Sequence, residues 1–222
     1  MRIGIEAQRI FRKEKHGMDF VAIELIRHLQ RIESEHQFYV FINEGEDSSC
    51  IQETENFKIV VFSAAYFIWE QCLLSKKVKE YKLDLLHCTS NTAPLFLSVP
   101  LVVTIHDIIY FESYPLFQSG YTSYQRFGNM YRRWLVYRLV YKAAKIITVS
   151  NFERDNFIMH FAGLDMRKLH TVYNGVSDHF RPQSSKSQEE EVRQVYGLPG
   201  RFVFLWETLT QKRTRTKRFW VS

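Results

Sequence analysis

At 222 residues, 45% hydrophobic and 15% aromatic, the chain has the size and composition of one globular domain with a sizeable buried core, which excludes intrinsic disorder for its body. The net charge of +6 invites a nucleic-acid reading, but Lys212, Arg213, Arg215, Lys217 and Arg218 against Glu207 give the residues after Leu205 +4 and leave the body only +2. That distribution predicts no nucleic-acid partner for the domain. Cys50, Cys72 and Cys88 are odd in number and form no CxxC pair, which excludes a disulfide framework and a zinc site of ordinary ligand spacing.

In chain order, RIGIE at Arg2–Glu6 reads as a strand. Met18–Ile32 follows with Phe20, Val21, Ile23, Leu25, Ile26 and Leu29 at helical spacing. QFYVFI at Gln37–Ile42 and FKIVVF at Phe57–Phe62 are strands, and a helix spans Phe67 to Tyr81. LDLLHC at Leu83–Cys88 and LVVTI at Leu101–Ile105 are short apolar strands, buried on both faces. An aromatic-basic helix runs from Thr122 to Ala144, then come a strand at Lys145–Val149, a helix at Phe152–Phe161 and a strand at Leu169–Tyr173. RPQSSKSQEEE at Arg181–Glu191 is polar and reads as a linker into a short helix, Glu190–Tyr196, stopped by Gly197. Arg201–Leu205 opens a further strand.

Apolar strands alternating with helices imply an α/β, Rossmann-like, doubly wound parallel sheet with helices on both faces. Ligands of such sheets lie beyond the carboxyl ends of the strands. The N-terminal MRIGIEAQRI has no apolar core region, and no run approaches the about 18 residues of a membrane span. The sequence therefore predicts a cytoplasmic protein. The helix between Thr122 and Ala144, with Arg126, Arg132, Arg133, Arg138 and Lys142 among its aromatics, reads either as a sheet-covering helix with a solvated face or as a peripheral contact with the inner face of a membrane.

Four segments fall where a doubly wound sheet places its site. EAQRIFRKEKHGMD after the first strand carries Arg9, Gly17 and Met18; Gly17 at a helix start lets backbone N–H groups face an anionic or hydroxyl-rich ligand, and an ordinary strand–helix loop is the alternative. IHDI after LVVTI carries His106, an imidazole suited to a sugar hydroxyl or developing charge, and Asp107, a carboxylate for a hydroxyl or a loop. The alternative is a His packed under a loop and an Asp holding a turn. In TVSNFER, Ser150 reads as a helix cap or a ligand contact. In VYNGV, Asn174-Gly175 marks a turn with positive φ. Phosphate-loop and nucleophile-elbow motifs are missing, and no His-rich cluster has metal-ligand spacing.

Taken together, MRIGIEAQRIF…HGMDFVAIELIRHL, LLHCTSNTAPL…VPLVVTIHDIIYFE, AAKIITVSNFERDNF and KLHTVYNGVSDHFRP resemble the family-four glycosyltransferases over Met1–Leu205. The resemblance implies the N-terminal, acceptor-side half of a GT-B enzyme over residues 1–182, then a linker and the start of a second domain over 183–205. It implies retaining transfer of a hexosyl group from a nucleotide-sugar donor to a glycan or lipid-linked acceptor. It places His106 near the transferred sugar with Asp107 in support, and Gly17 along the cleft near the donor's phosphates; Arg9, Met18, Ser150 and Asn174 are expected as further substrate-binding residues. The nucleotide-sugar is then a substrate, with no cofactor and no metal. The alternative function is a non-catalytic acceptor-binding or partner module working with a separate C-terminal chain. After RFVFL the family pattern stops, and WETLTQKRTRTKRFWVS over 206–222 reads as an aberrant basic tail. One back-translation, read one nucleotide earlier, spells VGNTDPKKNTNKAFLG, which resembles the family's next segment. A frameshift near Leu205 is therefore expected, and no transferase activity from this chain alone.

Overall fold

The strands form where β-branched and aromatic side chains at alternate positions are buried on both sides of a pleated ribbon. In Gln37–Ile42, Phe38, Val40 and Ile42 join one hydrophobic cluster and Phe41 the other. The computed structural model describes residues 1–108, 111, 123–177 and 186–199. Met1–Gly175 is one compact unit and Val176–Ser222 a second.

The first unit contains β1 (Arg2–Glu6), α1 (Gly17–Arg31), β2 (Gln37–Ile42), β3 (Phe57–Val61), α2 (Tyr66–Ile68), a π-helical turn (Trp69–Leu74), α3 (Ser75–Glu80), β4 (Leu85–Cys88), β5 (Leu101–Ile105), α4 (Ser123–Lys142), β6 (Lys145–Thr148), α5 (Asn151–His160) and β7 (Leu169–Thr171). All seven strands among the described residues are parallel, in the order β3-β2-β1-β4-β5-β6-β7. The order reverses between β1 and β4, so their carboxyl ends flank the topological switch point. The doubly wound α/β expectation is met.

Two hydrophobic clusters cover opposite faces. Ile5 of β1, the even-numbered residues of β2 and Ala22, Ile23 and Ile26 of α1 form the first. Leu86, Val103, Ile105, Ile146, Trp69, Leu74, Val78, Leu135, Leu139 and Phe157 belong to the second. Gly4 lies on this second side, where an added Cβ would stand 2.5 Å from Leu83 Cδ1.

The boundaries differ from the sequence reading in instructive ways. Phe20, expected on the apolar stripe of α1, is 55% exposed, since its angular position carries it past the sheet-facing residues. β4 starts at Leu85, because the Leu83 N–H closes the turn of α3 onto Val78 O at 3.1 Å. The π-helical turn had no sequence signal; it buries Trp69, Glu70 and Leu74 together. In the second unit, α6 (Lys186–Tyr196) begins before the expected Glu190 and is stopped by Gly197 at φ 57. The expected strand Arg201–Leu205 and the tail 206–222 lie outside the described residues.

Candidate functional site

β1 is an apolar strand that ends in a carboxylate. Glu6 is only 4% exposed, and three donors converge on it. Gln8 N–H donates to Oε1 at 2.8 Å, while Thr89 N–H and Ser90 O–H donate to Oε2 at 3.3 and 3.1 Å. Thr89 Oγ1 also donates to the Glu6 main-chain carbonyl at 2.8 Å. Glu6 thereby ties the end of β1 to the segment leaving β4, across the switch point. Burial raises its pKa, with the Glu70 charge adding to the rise.

Glu70, on the π-helical turn, is the second buried carboxylate of this region. Thr92 and Tyr66 donate to its Oε1, and Gln71 and Tyr131 to its Oε2 at 2.8 and 2.6 Å. Burial and the Glu70 charge push the Tyr66 phenol far above its ordinary pKa, so it serves as a donor. This network fastens α4, the π-helical turn and the post-β4 segment to one another.

That segment makes a tight excursion. Asn91 is buried at φ 65, a left-handed conformation that Asn tolerates better than most residues. Its N–H donates to Thr104 O at 3.0 Å, and its Oδ1 accepts from His106 N–H at 2.6 Å. His106 follows β5, and its Nε2 lies 2.8 Å from Thr89 O. A carbonyl only accepts, so Nε2 carries the proton. Burial lowers the His106 pKa, against the raising effects of the Thr89 bond and the Asp107 charge, with the Arg9 charge lowering it further. The ring is neutral at pH 7, and Nδ1 is its acceptor; no hydrogen bond to Nδ1 occurs among the described residues.

Arg9 is held by Asp19 at 3.5 Å, and Arg12 pairs with the same carboxylate. Asp19 also accepts from His16 N–H at 2.7 Å, which fixes the start of α1. Arg9 NH2 is buried without a hydrogen-bond partner among the described residues. Its charge bears on Glu6, which ends β1, on Tyr66, which follows β3, and on His106, which follows β5. Gly17 opens α1 with nothing within 4 Å of a would-be Cβ, and Met18 follows it half-buried. The carboxyl ends of these strands thus carry a fixed imidazole acceptor and an unsatisfied guanidinium nitrogen, groups suited to hydroxyls and anionic groups.

Asp107 is half-buried beside His106. Ser150 Oγ accepts from Glu153 N–H at 3.1 Å, the N-cap of α5. Asn174-Gly175 is a correction: neither residue has positive φ. After β7 the chain runs on exposed instead of turning, since a parallel strand end has no hairpin partner to return to. Sequence reasoning missed Glu6, Glu70, Asn91 and the Tyr66 and Tyr131 hydroxyls. Glu6 had a signal, an acid closing an apolar strand; the others meet only through tertiary contacts. Among the described residues no group of three or more His, Cys, Asp or Glu is placed to hold a metal.

Residues 16–180 match the family model of Glycosyltransferase Family 4. An alpha-D-kanosaminyltransferase of Streptomyces kanamyceticus is 28% identical over 128 residues, covering 54% of this chain and 32% of that protein. The crystal structure of Anabaena HepE in complex with UDP superimposes with a TM-score of 0.58 at 19% identity, over 89% of this chain and 50% of that one. The chain therefore spans a third to a half of the length of these relatives. With the family model spanning most of its length, from the start of α1 past β7 and including His106, the chain belongs to Glycosyltransferase Family 4.

Proposed function

We propose that this chain is the acceptor-side half of a GT-B enzyme, residues 1–182, which transfers a hexosyl group with retention from a nucleotide-sugar to a glycan or lipid-linked acceptor. Residues 183–205 lead into a donor-side domain, and the 222-residue chain by itself does not turn over. The observation that carries this reading is the neutral, doubly anchored His106 at the carboxyl end of the sheet in a family-four chain. The HepE relative was crystallised with UDP, and the unsatisfied Arg9 nitrogen beside the Gly17 end of α1 supplies a donor for a nucleoside diphosphate. His106 Nδ1 accepts from a hydroxyl of the transferred sugar, with Asp107 in support. Gly17, Met18 and Arg9 line the phosphate side. Ser150, which follows β6, and Asn174, which follows β7, are further substrate-binding residues in this reading. The reaction draws on no cofactor or metal. Holding donor and acceptor in one crevice removes the entropic cost of their encounter, and this needs both halves of the cleft.

The protein works in the cytoplasm at the membrane's inner face. α4 supports this: residues 123–142 contain no acid, and Met130, Trp134, Tyr137 and Tyr141 are exposed beside Arg132, Arg138 and Lys142. Among the described residues no helix is long and apolar enough to cross a membrane.

The test compares the 222-residue chain with the gene product read through into the alternative frame after Leu205, using labelled nucleotide-sugars and glycan or lipid-linked acceptors. Turnover is expected only from the longer protein, and His106→Ala lowers it at least tenfold, about 1.4 kcal/mol of transition-state binding. Turnover by the short chain, or a folded long protein indifferent to His106→Ala, refutes the reading.

A further inference from the structure

The protonation pattern of His106 is set from a distance. Its ring is held by Thr89 O and its backbone by Asn91 Oδ1, both on the segment that leaves β4. That segment has no helix of its own to brace it. Farther along, Glu70 and Gln71 hold it through Thr92, Ala93 and Leu95, but at Thr89 and Ser90, where Thr89 O meets His106, it is held by Glu6, through Thr89 N–H, Ser90 O–H and the Thr89 hydroxyl on the Glu6 carbonyl. The three residues sit on three neighbouring strands of one sheet: β1 ends at Glu6, β4 leads into Thr89 and β5 leads into His106.

We propose that Glu6 is a positioning residue: by clamping Thr89–Asn91 it aims Thr89 O at His106 Nε2, which fixes the Nε2–H tautomer and leaves Nδ1 as the ring's acceptor. The use of that acceptor for a sugar hydroxyl rests on the transferase reading; the tautomer does not. The carboxylate is required by its chemistry. Three donors meet its two oxygens, and no donor is needed from it. In Glu6→Gln the amide has a single oxygen, so its NH2 faces either Gln8 N–H or the Thr89 and Ser90 donors and repels them. The segment then shifts, Thr89 O leaves His106, and the ring is free to place its proton on Nδ1. The other charged or titratable groups bearing on His106 are Arg9 from the loop after β1, Asp107 beside it and His87 from β4, and none of them is altered by the substitution.

The experiment is long-range 1H–15N correlation NMR on the 222-residue protein with 15N-labelled histidine, with the His106 signals assigned by their loss in His106→Gln. The wild type is expected to show the Nε2–H tautomer alone above its titration, with a pKa below the ordinary histidine value. Glu6→Gln is expected to show a mixture of tautomers, and a His106 pKa moved up toward the ordinary value as the ring becomes wetter. Leu86→Val, a core loss on β4, controls for loosening in general and should leave both readouts unchanged. If Glu6→Gln does not fold, Ser90→Ala and Thr89→Val each remove one bond to Glu6 and should move both readouts the same way by a smaller step. A folded Glu6→Gln, or the pair of weaker variants, with wild-type tautomer and pKa overturns the proposal; equal changes in Leu86→Val overturn it too. These outcomes need no sugar transfer, so failure of the transferase reading leaves them standing.

Discussion

His87 predicts a specific acid sensitivity. It lies on β4, with Nε2 2.9 Å from Thr104 Oγ1 on β5. Burial, and then the charge of His106, lower its pKa from 6.5 to about 4. The unfolded chain takes up this proton near the ordinary value, and the folded chain does so only near the lowered one. Stability is therefore fully present above pH 6.5 and is lost as the pH falls through the window down to about 4. At about 1.36 kcal/mol per pH unit, a window of that width corresponds to about 3 kcal/mol. With a urea dependence of about 2 kcal/mol per molar, the midpoint falls by about 1.5 M. The assay is urea unfolding at about pH 7 and about pH 4.5, on the wild type and on His87→Gln, whose amide still reaches the Thr104 hydroxyl but does not titrate. Glu6, whose raised pKa favours the folded state on acidification, changes in both proteins alike and cancels in the difference. If both proteins lose the same midpoint, the half-buried, neutral His87 is refuted.

Other changes test the packing and the loops. Leu86→Ala, at a fully buried site on β4, should lower unfolding free energy by about 2–5 kcal/mol in the same assay. Gly45→Ala places a Cβ 2.3 Å from Phe11 O, a backbone atom that cannot swing aside; the loop after β2 should separate from the loop after β1, seen as faster amide exchange at Asp47, whose N–H now bonds Phe11 O at 2.9 Å. Asn91→Ala should cost more than Asn91→Gly, by roughly 1 kcal/mol in urea unfolding, since both lose the bond to His106 N–H but only glycine accepts φ 65 without strain. Arg167→Ala should leave the midpoint nearly unchanged, because its pair with Asp165 is made by a side chain 90% exposed.

Much of the fold was legible in residue order. Val, Ile, Leu and Phe runs too short for helices announced buried parallel strands, and the helical spacing from Met18 to Ile32 announced α1; both are local periodicities that burial rewards directly. His106 was legible because a His-Asp pair closing an apolar strand must emerge at the carboxyl edge. Ser150 announced itself equally as a cap, and the cap is the role its hydroxyl takes. The Asn174-Gly175 pair misled, since turn composition gives a tendency that an extended exit from β7 overrides.

What the chain alone determined was periodicity and composition, hence the layers and the edge at which chemistry gathers. What only tertiary structure decided was which side chains meet there. Glu6 and Ser90 are 84 positions apart, and Glu70 and Tyr131 are 61. No local pattern encodes such contacts, because they exist only once parallel strands have brought their carboxyl ends side by side. The protonation of His106 belongs to the same class: a carbonyl of β4's outgoing segment sets it, and that carbonyl is placed by a carboxylate on a third strand.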